Sequence, residues 1–183
     1  VYSVPDSELG RYTKVVLLDS HVAFRDNWQK EYNRQSPFAL RVDEKDMQRI
    51  RDELATDLKA VFSESLTEAG YEVTTEAGPD VLVIWPAIIN LSVTAPDVRT
   101  PERRETIVHS AMRMTLFMEF YDSTTQALIG RIIDAEAAEP GGNFMWAHQG
   151  SNKSQAKRVF QQWADDLQSL LDDARSSASG DND

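Results

Sequence analysis

The fold is decided by residues 43–93, which read DEKDMQRIRDELATDLKAVFSESLTEAG, then YEVTTEAGPD, then VLVIWPAIINLSV. The first part places apolar residues at the three- and four-residue spacing of one helix face: Met47, Ile50, Leu54, Leu58, Val61, Phe62, Leu66 and Ala69. Asp43 supplies an N-cap oxygen, and Gly70 can adopt the left-handed conformation that ends such a helix. The last part is almost wholly apolar and indicates a strand. The stretch therefore predicts an amphipathic helix that leads into a buried strand.

Outside this stretch the sequence predicts three further strands and a second helix. Residues 11–24 and 112–121 alternate as strands do, and residues 127–138 return as the partner of the latter in a hairpin. Residues 151–174 carry a second apolar helical stripe. The long connection 25–41 holds Trp28, Tyr32 and Phe38, and we expect these aromatic rings to fold against the body of the protein.

This element order predicts an α+β domain at residues 11–175, with flexible termini at 1–10 and 176–183. The order is strand, helix, strand, strand, strand, helix. We expect a mostly antiparallel sheet of about four strands with two helices packed on one face. Pro86 cannot donate a hydrogen bond to a neighbouring strand, so its strand is predicted to be an edge strand or to be bulged there.

Composition narrows the classes of function. The 183 residues include 19 Lys and Arg against 30 Asp and Glu, which gives a net charge of −11. That charge disfavours binding to nucleic acid or to anionic lipid, where neutralisation of phosphates carries most of the affinity. Cysteine is absent, which excludes a disulfide framework and a thiolate nucleophile within these residues. No apolar run reaches the ~20 residues of a membrane-spanning helix.

The residues that could carry chemistry are scattered. The three histidines, His21, His109 and His148, are far apart in sequence, and no phosphate loop, dinucleotide fingerprint or serine-nucleophile motif is present. We therefore predict no catalytic residues, no cofactor and no metal site. Carboxylates for acid–base chemistry could be drawn from the hairpin, where the candidates are Glu119, Asp122, Asp134 and Glu136. Glu119 and Asp134 are expected to face each other across its strands. The alternative is that all four are solvated strand and turn carboxylates.

One segment favours a binding role. Phe144, Met145 and Trp146 follow a glycine-rich break, and large apolar residues on a loop are suited to contact with a partner. The alternative is that they cover an open end of the sheet. They are our candidate partner-contact residues.

Several segments resemble a family of uncharacterised proteobacterial proteins, usually described as lipoproteins with a domain of unknown function. Matching segments occur in order along residues 12–171: YTKVVLLD, GYEV, GPDVL, AIINL, DSTT with the later Asp134, and FQQWA. Gln126 departs from the family pattern, which has glycine in that hairpin turn, so a glycine-supported turn is in doubt here. The resemblance implies a signal peptide and a lipid-modified cysteine upstream of Val1, and hence a periplasmic protein tethered to a membrane. It implies no known activity.

From the residues and the resemblance together we expect a non-catalytic binding or scaffolding domain of the cell envelope. Its partner would be an unknown protein or envelope component, with no nucleic acid and with membrane contact only through the anchor. One alternative is a hydrolase that uses the hairpin carboxylates. Another is a carrier of an apolar ligand between helices and sheet.

Overall fold

A computed structural model confirms the α+β class. It describes residues 9–93, 112–138 and 149–180. Side chains are described for all of these except residues 136–138, 149–152, 179 and 180. In chain order the elements are β1 (Lys14–Leu17), β2 (His21–Phe24), α1 (Trp28–Gln35), a short 3₁₀ helix (Phe38–Leu40), α2 (Glu44–Glu68), β3 (Glu72–Val73), β4 (Val81–Val93), β5 (Met112–Asp122), β6 (Leu128–Ala138) and α3 (Gln149–Gly180).

The strands form one mixed sheet in the order β3-β1-β4-β5-β6, with β2 also paired to β4. The pairs β4–β5 and β5–β6 are antiparallel, whereas β1 and β2 both pair with β4 in parallel. The prediction of about four mostly antiparallel strands is therefore wrong on one side of the sheet. The reason is that α2 lies between β2 and β4 in the chain, and a helical crossover returns the next strand in the same direction.

Pro86 lies in the interior of the sheet, and the prediction of an edge or a bulge at this residue is wrong. β1 pairs with β4 up to Ile84, and β2 takes over from Ala87. Pro86 thus falls where one partner strand ends and the next begins, so its missing N–H group is tolerated. The irregularity in β4 lies further along, at Asn90, which has a left-handed φ of 55°.

One core joins α2, α3 and one face of the sheet. The N-cap of α2 is as predicted: Asp43 accepts from the Asp46 N–H at 2.9 Å, and the Asp46 side chain accepts from the Asp43 N–H. Gly70, with φ +83°, follows the end of α2. The apolar faces of α2 and α3 pack against the side chains of every second residue of β5. The buried side chains at the centre of the core include Leu58, Phe62, Ile84, Ile88, Leu116, Phe120, Phe160 and Trp163.

The connection between β2 and α2 is only partly folded against the body. Trp28 is buried and its ring stacks on Phe24 at 4.6 Å and on Tyr32 at 5.5 Å. Phe38, in contrast, is 86% exposed, so the expectation that it folds inward is wrong. Pro37 precedes it with an extended ψ of 151°, and the 3₁₀ helix that follows turns the ring outward, where it contacts the Arg41 guanidinium at 5.6 Å.

The two ends of the described chain lie together. Leu9 is buried, and a Cβ on Gly10 would come within 2.4 Å of the Ala174 carbonyl oxygen in α3. α3 continues to Gly180, five residues past the predicted domain boundary at 175. Across the described ranges, none of the helices has the length and apolar character needed to cross a bilayer.

Candidate functional site

The face of the sheet opposite α2 and α3 carries a compact group of side chains that we call the outer-face cluster: Trp85, Phe117, Glu119, Tyr121 and Arg131. The strand period places it there, because the even-numbered residues of β5 point into the core and the odd-numbered ones point away. Register then aligns residues from three strands in rows. Trp85, Glu119 and Arg131 form one row, and Ala87, Phe117 and Ile133 form the next.

Arg131 is held rigidly at the centre of the cluster. Its Nε donates to Glu119 Oε1 at 2.9 Å, and its NH2 group donates to the same oxygen. The guanidinium also lies 5.0 Å from the centre of the Phe117 ring. Tyr121 donates its hydroxyl proton to the other carboxylate oxygen, Oε2, at 2.7 Å. Both oxygens of Glu119 are thus occupied, and the guanidinium is oriented before any partner arrives.

The electrostatics of the cluster favour the ionised form of the Glu119 carboxylate. The Glu119 side chain is only 7% exposed, although it points away from the core. The hydrogen bond from Tyr121 and the pairing with Arg131 hold the pKa of Glu119 below its usual range, while the same hydrogen bond raises the pKa of Tyr121. A general acid needs a raised pKa, whereas the lowered pKa of Glu119 and its hydrogen bonds suit this carboxylate to orienting Arg131.

The surroundings of Arg131 are apolar and open to solvent. Trp85 is 41% exposed, and Ile133 and Leu18 are also exposed on this face. Leu18 lies next to the Trp85 row, since its N–H donates to Ile84 O at 3.0 Å. Tryptophan, tyrosine and arginine are the residue types that most often dominate the energy of protein–protein interfaces. The cluster therefore has the composition of an interface centre.

Asp122, another predicted acid–base candidate, stabilises the hairpin turn. Its Oδ2 accepts from the Tyr12 hydroxyl at 2.8 Å and from Arg11 at 2.7 Å, and its Oδ1 accepts from the Thr125 N–H at 2.8 Å. These hydrogen bonds, with that from Thr125 first, hold the pKa of Asp122 far below its usual range. Gln126 follows in the left-handed region at φ 59°, so the turn forms without the glycine of the family pattern.

Glu119 and Asp134 do not face each other, and that prediction is wrong. The hairpin register pairs Glu119 with Arg131 and Asp134 with Leu116, which places the two carboxylates on opposite faces of the sheet. Asp134 instead accepts from Trp163 Nε1 at 2.9 Å and joins β6 to α3. Among the hairpin side chains that the structure describes, Glu119 and Asp134 therefore do not form a carboxylate pair.

The remaining candidates do not assemble into a site in the part of the chain that the structure describes. His21 is exposed and lies in register with Ala87, while His109 and His148 fall outside the described residues. The Glu136 side chain is not described. Among described side chains, no three of the metal-ligating types come together. The predicted partner contact at 144–146 also lies outside the described residues, between β6 and α3, and stays a prediction.

Sequence reasoning missed Trp85 and Arg131. No sequence signal distinguishes Trp85, because residues of both parities are apolar from Val81 to Ile89, so alternation does not show which face of β4 is buried. The proximity of Arg131 to Glu119 depends on the hairpin register, which is offset at Phe120 and Tyr121. Such an offset cannot be counted from the turn sequence alone.

A family model described as "Protein of unknown function (DUF3313)" matches residues 1–167. The chain belongs to the DUF3313 family. The match spans the whole sheet and most of α3, as the resemblance of the sequence segments predicts.

Solved structures resemble this DUF3313 protein only in overall fold. They include a protein from Xanthomonas campestris (13% identity over 92% of this chain and 89% of that chain, TM-score 0.48). A minor lipoprotein from Acinetobacter baumannii (11%, 87% and 90%, 0.42) and lipoprotein GNA1162 from Neisseria meningitidis (13%, 84% and 99%, 0.37) are also similar. At such low identities and scores, the likeness carries no argument about the site. No curated protein matches the chain significantly.

Proposed function

We propose that this DUF3313 protein is a non-catalytic binding domain of the bacterial cell envelope, and that it binds a partner protein through the outer-face cluster. The observation that carries the proposal is the fixed guanidinium of Arg131, held by Glu119 and Phe117 beside the half-exposed ring of Trp85. An arginine that is already oriented loses little side-chain entropy on binding, which favours a tight contact.

The exposed surface of Trp85 sets the scale of the interaction. A tryptophan buries up to about 250 Å² in an interface, so the 41% that is exposed corresponds to about 100 Å². At about 25 cal/mol per Å², covering this surface contributes about 2.5 kcal/mol. A contribution of that size is typical of an interface hot spot and corresponds to about 60-fold in affinity.

The described carboxylates support binding over catalysis. Glu119, Asp122 and Asp134 each accept hydrogen bonds from groups of the fold itself. The pKa values of Glu119 and Asp122 are lowered, which keeps both groups ionised and unable to donate a proton at neutral pH. The space between the helices and the sheet is filled by fully buried side chains such as Phe62 and Phe120, which disfavours a carrier of apolar ligands.

We further propose that the protein is anchored in the periplasm as a lipoprotein. The support is the resemblance of its segments to a family usually described as lipoproteins. Metabolic labelling of the full-length precursor in its host with radioactive palmitate, followed by membrane fractionation, tests this. We expect label in the membrane fraction, and an unlabelled protein in the cytosolic fraction would contradict the anchor.

The segment Phe144, Met145 and Trp146 remains our second proposed partner contact. It is tested by replacing all three residues with alanine once a partner is known. An unchanged affinity would remove this segment from the proposal.

The partner site is tested by measuring affinity. Chemical cross-linking in the native envelope and mass spectrometry identify partners, and calorimetric titration of the purified partner gives the dissociation constant. We expect Trp85→Ala to raise that constant about 60-fold, because the variant loses about 2.5 kcal/mol of apolar burial. Phe38→Ala is the matched control, since it removes an exposed aromatic ring that lies outside the sheet. Equal effects of the two substitutions would contradict the proposal.

A further inference from the structure

The outer-face cluster offers hydrogen-bond donors to a partner but no free carboxylate. Arg131 directs its Nε and Nη2 groups to Glu119 Oε1, and its Nη1 group donates to no acceptor among the described residues. Trp85 Nε1 likewise has no acceptor in the part of the chain that the structure describes. Both oxygens of Glu119 already accept hydrogen bonds, Oε1 from Arg131 and Oε2 from Tyr121. A partner that satisfies this surface must therefore supply acceptor oxygens.

The charge of the cluster favours an uncharged acceptor. The Arg131 guanidinium and the Glu119 carboxylate are paired, so their charges offset each other. The rows on either side of this pair carry no charged side chain; they consist of Val83, Tyr121 and Leu128, and of Ala87, Phe117 and Ile133. The chain as a whole has a net charge of −11, which disfavours the approach of an anionic partner. Backbone carbonyl oxygens are acceptors that carry no net charge.

The backbone conformation of the partner follows from which of its carbonyls are free. In an α-helix the carbonyls are bonded within the helix, and an added strand pairs with a sheet edge, whereas Glu119 lies in β5, between β4 and β6. A polyproline II segment has no internal hydrogen bonds, so its carbonyls remain free. Proline also lacks the N–H group, for which this surface offers no free carboxylate.

The spacing of the two free donors matches this conformation. Trp85 in β4 and Arg131 in β6 are both in register with Glu119 of β5, so their backbones lie two strand spacings apart, which is about 10 Å. A polyproline II helix rises about 3.1 Å per residue and completes a turn in about three residues, so carbonyls on one side recur about every 9 Å. A segment that crosses the strands along this row can therefore bring one carbonyl to each donor.

We propose that the outer-face cluster binds a proline-rich polypeptide segment in the polyproline II conformation, which crosses β4, β5 and β6 along the row of Trp85, Glu119 and Arg131. Trp85 Nε1 and Arg131 Nη1 donate to successive carbonyls on one side of the segment. Its proline rings contact Trp85 and the half-buried rings of Phe117 and Tyr121, which lie on either side of Glu119 in β5. Docking of such segments on aromatic side chains is a recurring mode of recognition. The inference rests on the proposed function and adds the chemistry of the partner.

An uncharged decaproline peptide with blocked ends tests the inference. It is titrated calorimetrically into the folded protein, and a glycine–serine peptide of the same length is the control, because it is flexible and has no preformed polyproline II helix. We expect saturable binding of decaproline with a dissociation constant below about 1 mM, and at least about tenfold weaker binding of the control peptide. Decaproline should also shift the Trp85 Nε1–H resonance in nuclear magnetic resonance spectra. Equal affinities of the two peptides, or no binding of decaproline, would overturn the inference.

Two substitutions of Trp85 locate the binding surface. Trp85→Ala should weaken decaproline binding at least about tenfold, whereas Trp85→Phe, which keeps an aromatic ring and removes the N–H donor, should weaken it about two- to tenfold. Phe38→Ala is the matched control and should bind decaproline as the wild type does, since its ring lies outside the sheet. Wild-type affinity in either Trp85 variant would overturn the inference. So would binding of a chito-oligosaccharide, whose hydroxyl groups are also acceptors, by a protein that does not bind decaproline.

A failed polyproline assignment is distinguishable from a failed partner site. If decaproline does not bind, but Trp85→Ala still weakens binding of the partner identified by cross-linking, the partner site stands and the polyproline assignment is overturned. If Trp85→Ala affects neither ligand, both are overturned.

Discussion

Replacing Trp163 with alanine should remove a large part of the stability of the fold. The side chain is 1% exposed, its ring lies 6.0 Å from that of Phe160, and its Nε1 donates to Asp134 at 2.9 Å. Truncation of a buried tryptophan costs about 3–5 kcal/mol through lost burial and the cavity left behind. A domain of this size loses about 2–4 °C of thermal midpoint per kcal/mol, so we expect the midpoint to fall by about 6–20 °C.

The contribution of the hydrogen bond can be separated from that of packing. Trp163→Phe keeps most of the ring volume and removes the N–H donor, and the half-buried Asp134 can then bind water. We therefore expect this variant to lose about 1 kcal/mol, well below the loss in the alanine variant.

Urea unfolding followed by far-ultraviolet circular dichroism measures both losses. Phe38→Ala is the control, and its free energy of unfolding should stay within about 0.5 kcal/mol of the wild type because the ring is exposed. A loss below about 1.5 kcal/mol for Trp163→Ala would refute the tight packing of α3 on the sheet. Equal losses in the alanine and phenylalanine variants would refute the partition between packing and hydrogen bonding.

Two further predictions concern the hairpin turn and the first described residues. Asp122→Asn should be less stable than the wild type at about pH 7, and this difference in the free energy of unfolding should narrow as the pH falls below about 4. The reason is that a carboxylate whose pKa is lowered in the folded state stabilises that state at pH values above its unfolded pKa. Protonation of the carboxylate removes this stabilisation. Urea midpoints at about pH 7 and about pH 3 test this, and a difference independent of pH would contradict it. Gly10→Ala should lower the thermal midpoint more than Gly78→Ala, because its Cβ would lie 2.4 Å from the Ala174 carbonyl oxygen, against 3.2 Å to the nearest atom at Gly78. The reverse order in a calorimetric scan would refute the close approach of Gly10 to α3.

The features that were predicted correctly depend on short-range rules of side-chain spacing, helix capping and strand alternation. The helix that begins after Asp43 follows from side-chain spacing and from its cap, and Gly70 follows its end in the left-handed region. The two faces of β5 follow from the strict alternation of residues 112–121. These features depend on residues within a few positions of one another.

The features that were not predicted, namely the parallel strands and the Glu119–Arg131 contact, depend on how strands far apart in the sequence pair and in which register. The parallel pairing of β1 and β2 with β4 depends on the path of α2 across the sheet, which periodicity does not specify. The contact between Glu119 and Arg131 depends on a register offset near the hairpin turn. This offset places Glu119, and not Asp134, beside Arg131. It therefore determines which side chains form the outer-face cluster.

Photo-cross-linking in the native envelope tests the central claim most directly. A photoreactive amino acid is introduced at position 85, within the outer-face cluster, or at position 38, the exposed ring outside the sheet. We predict a discrete adduct with one partner protein from position 85 and none from position 38. An adduct from position 38 alone, or none from position 85, would contradict the assignment of the outer-face cluster as the partner-binding surface.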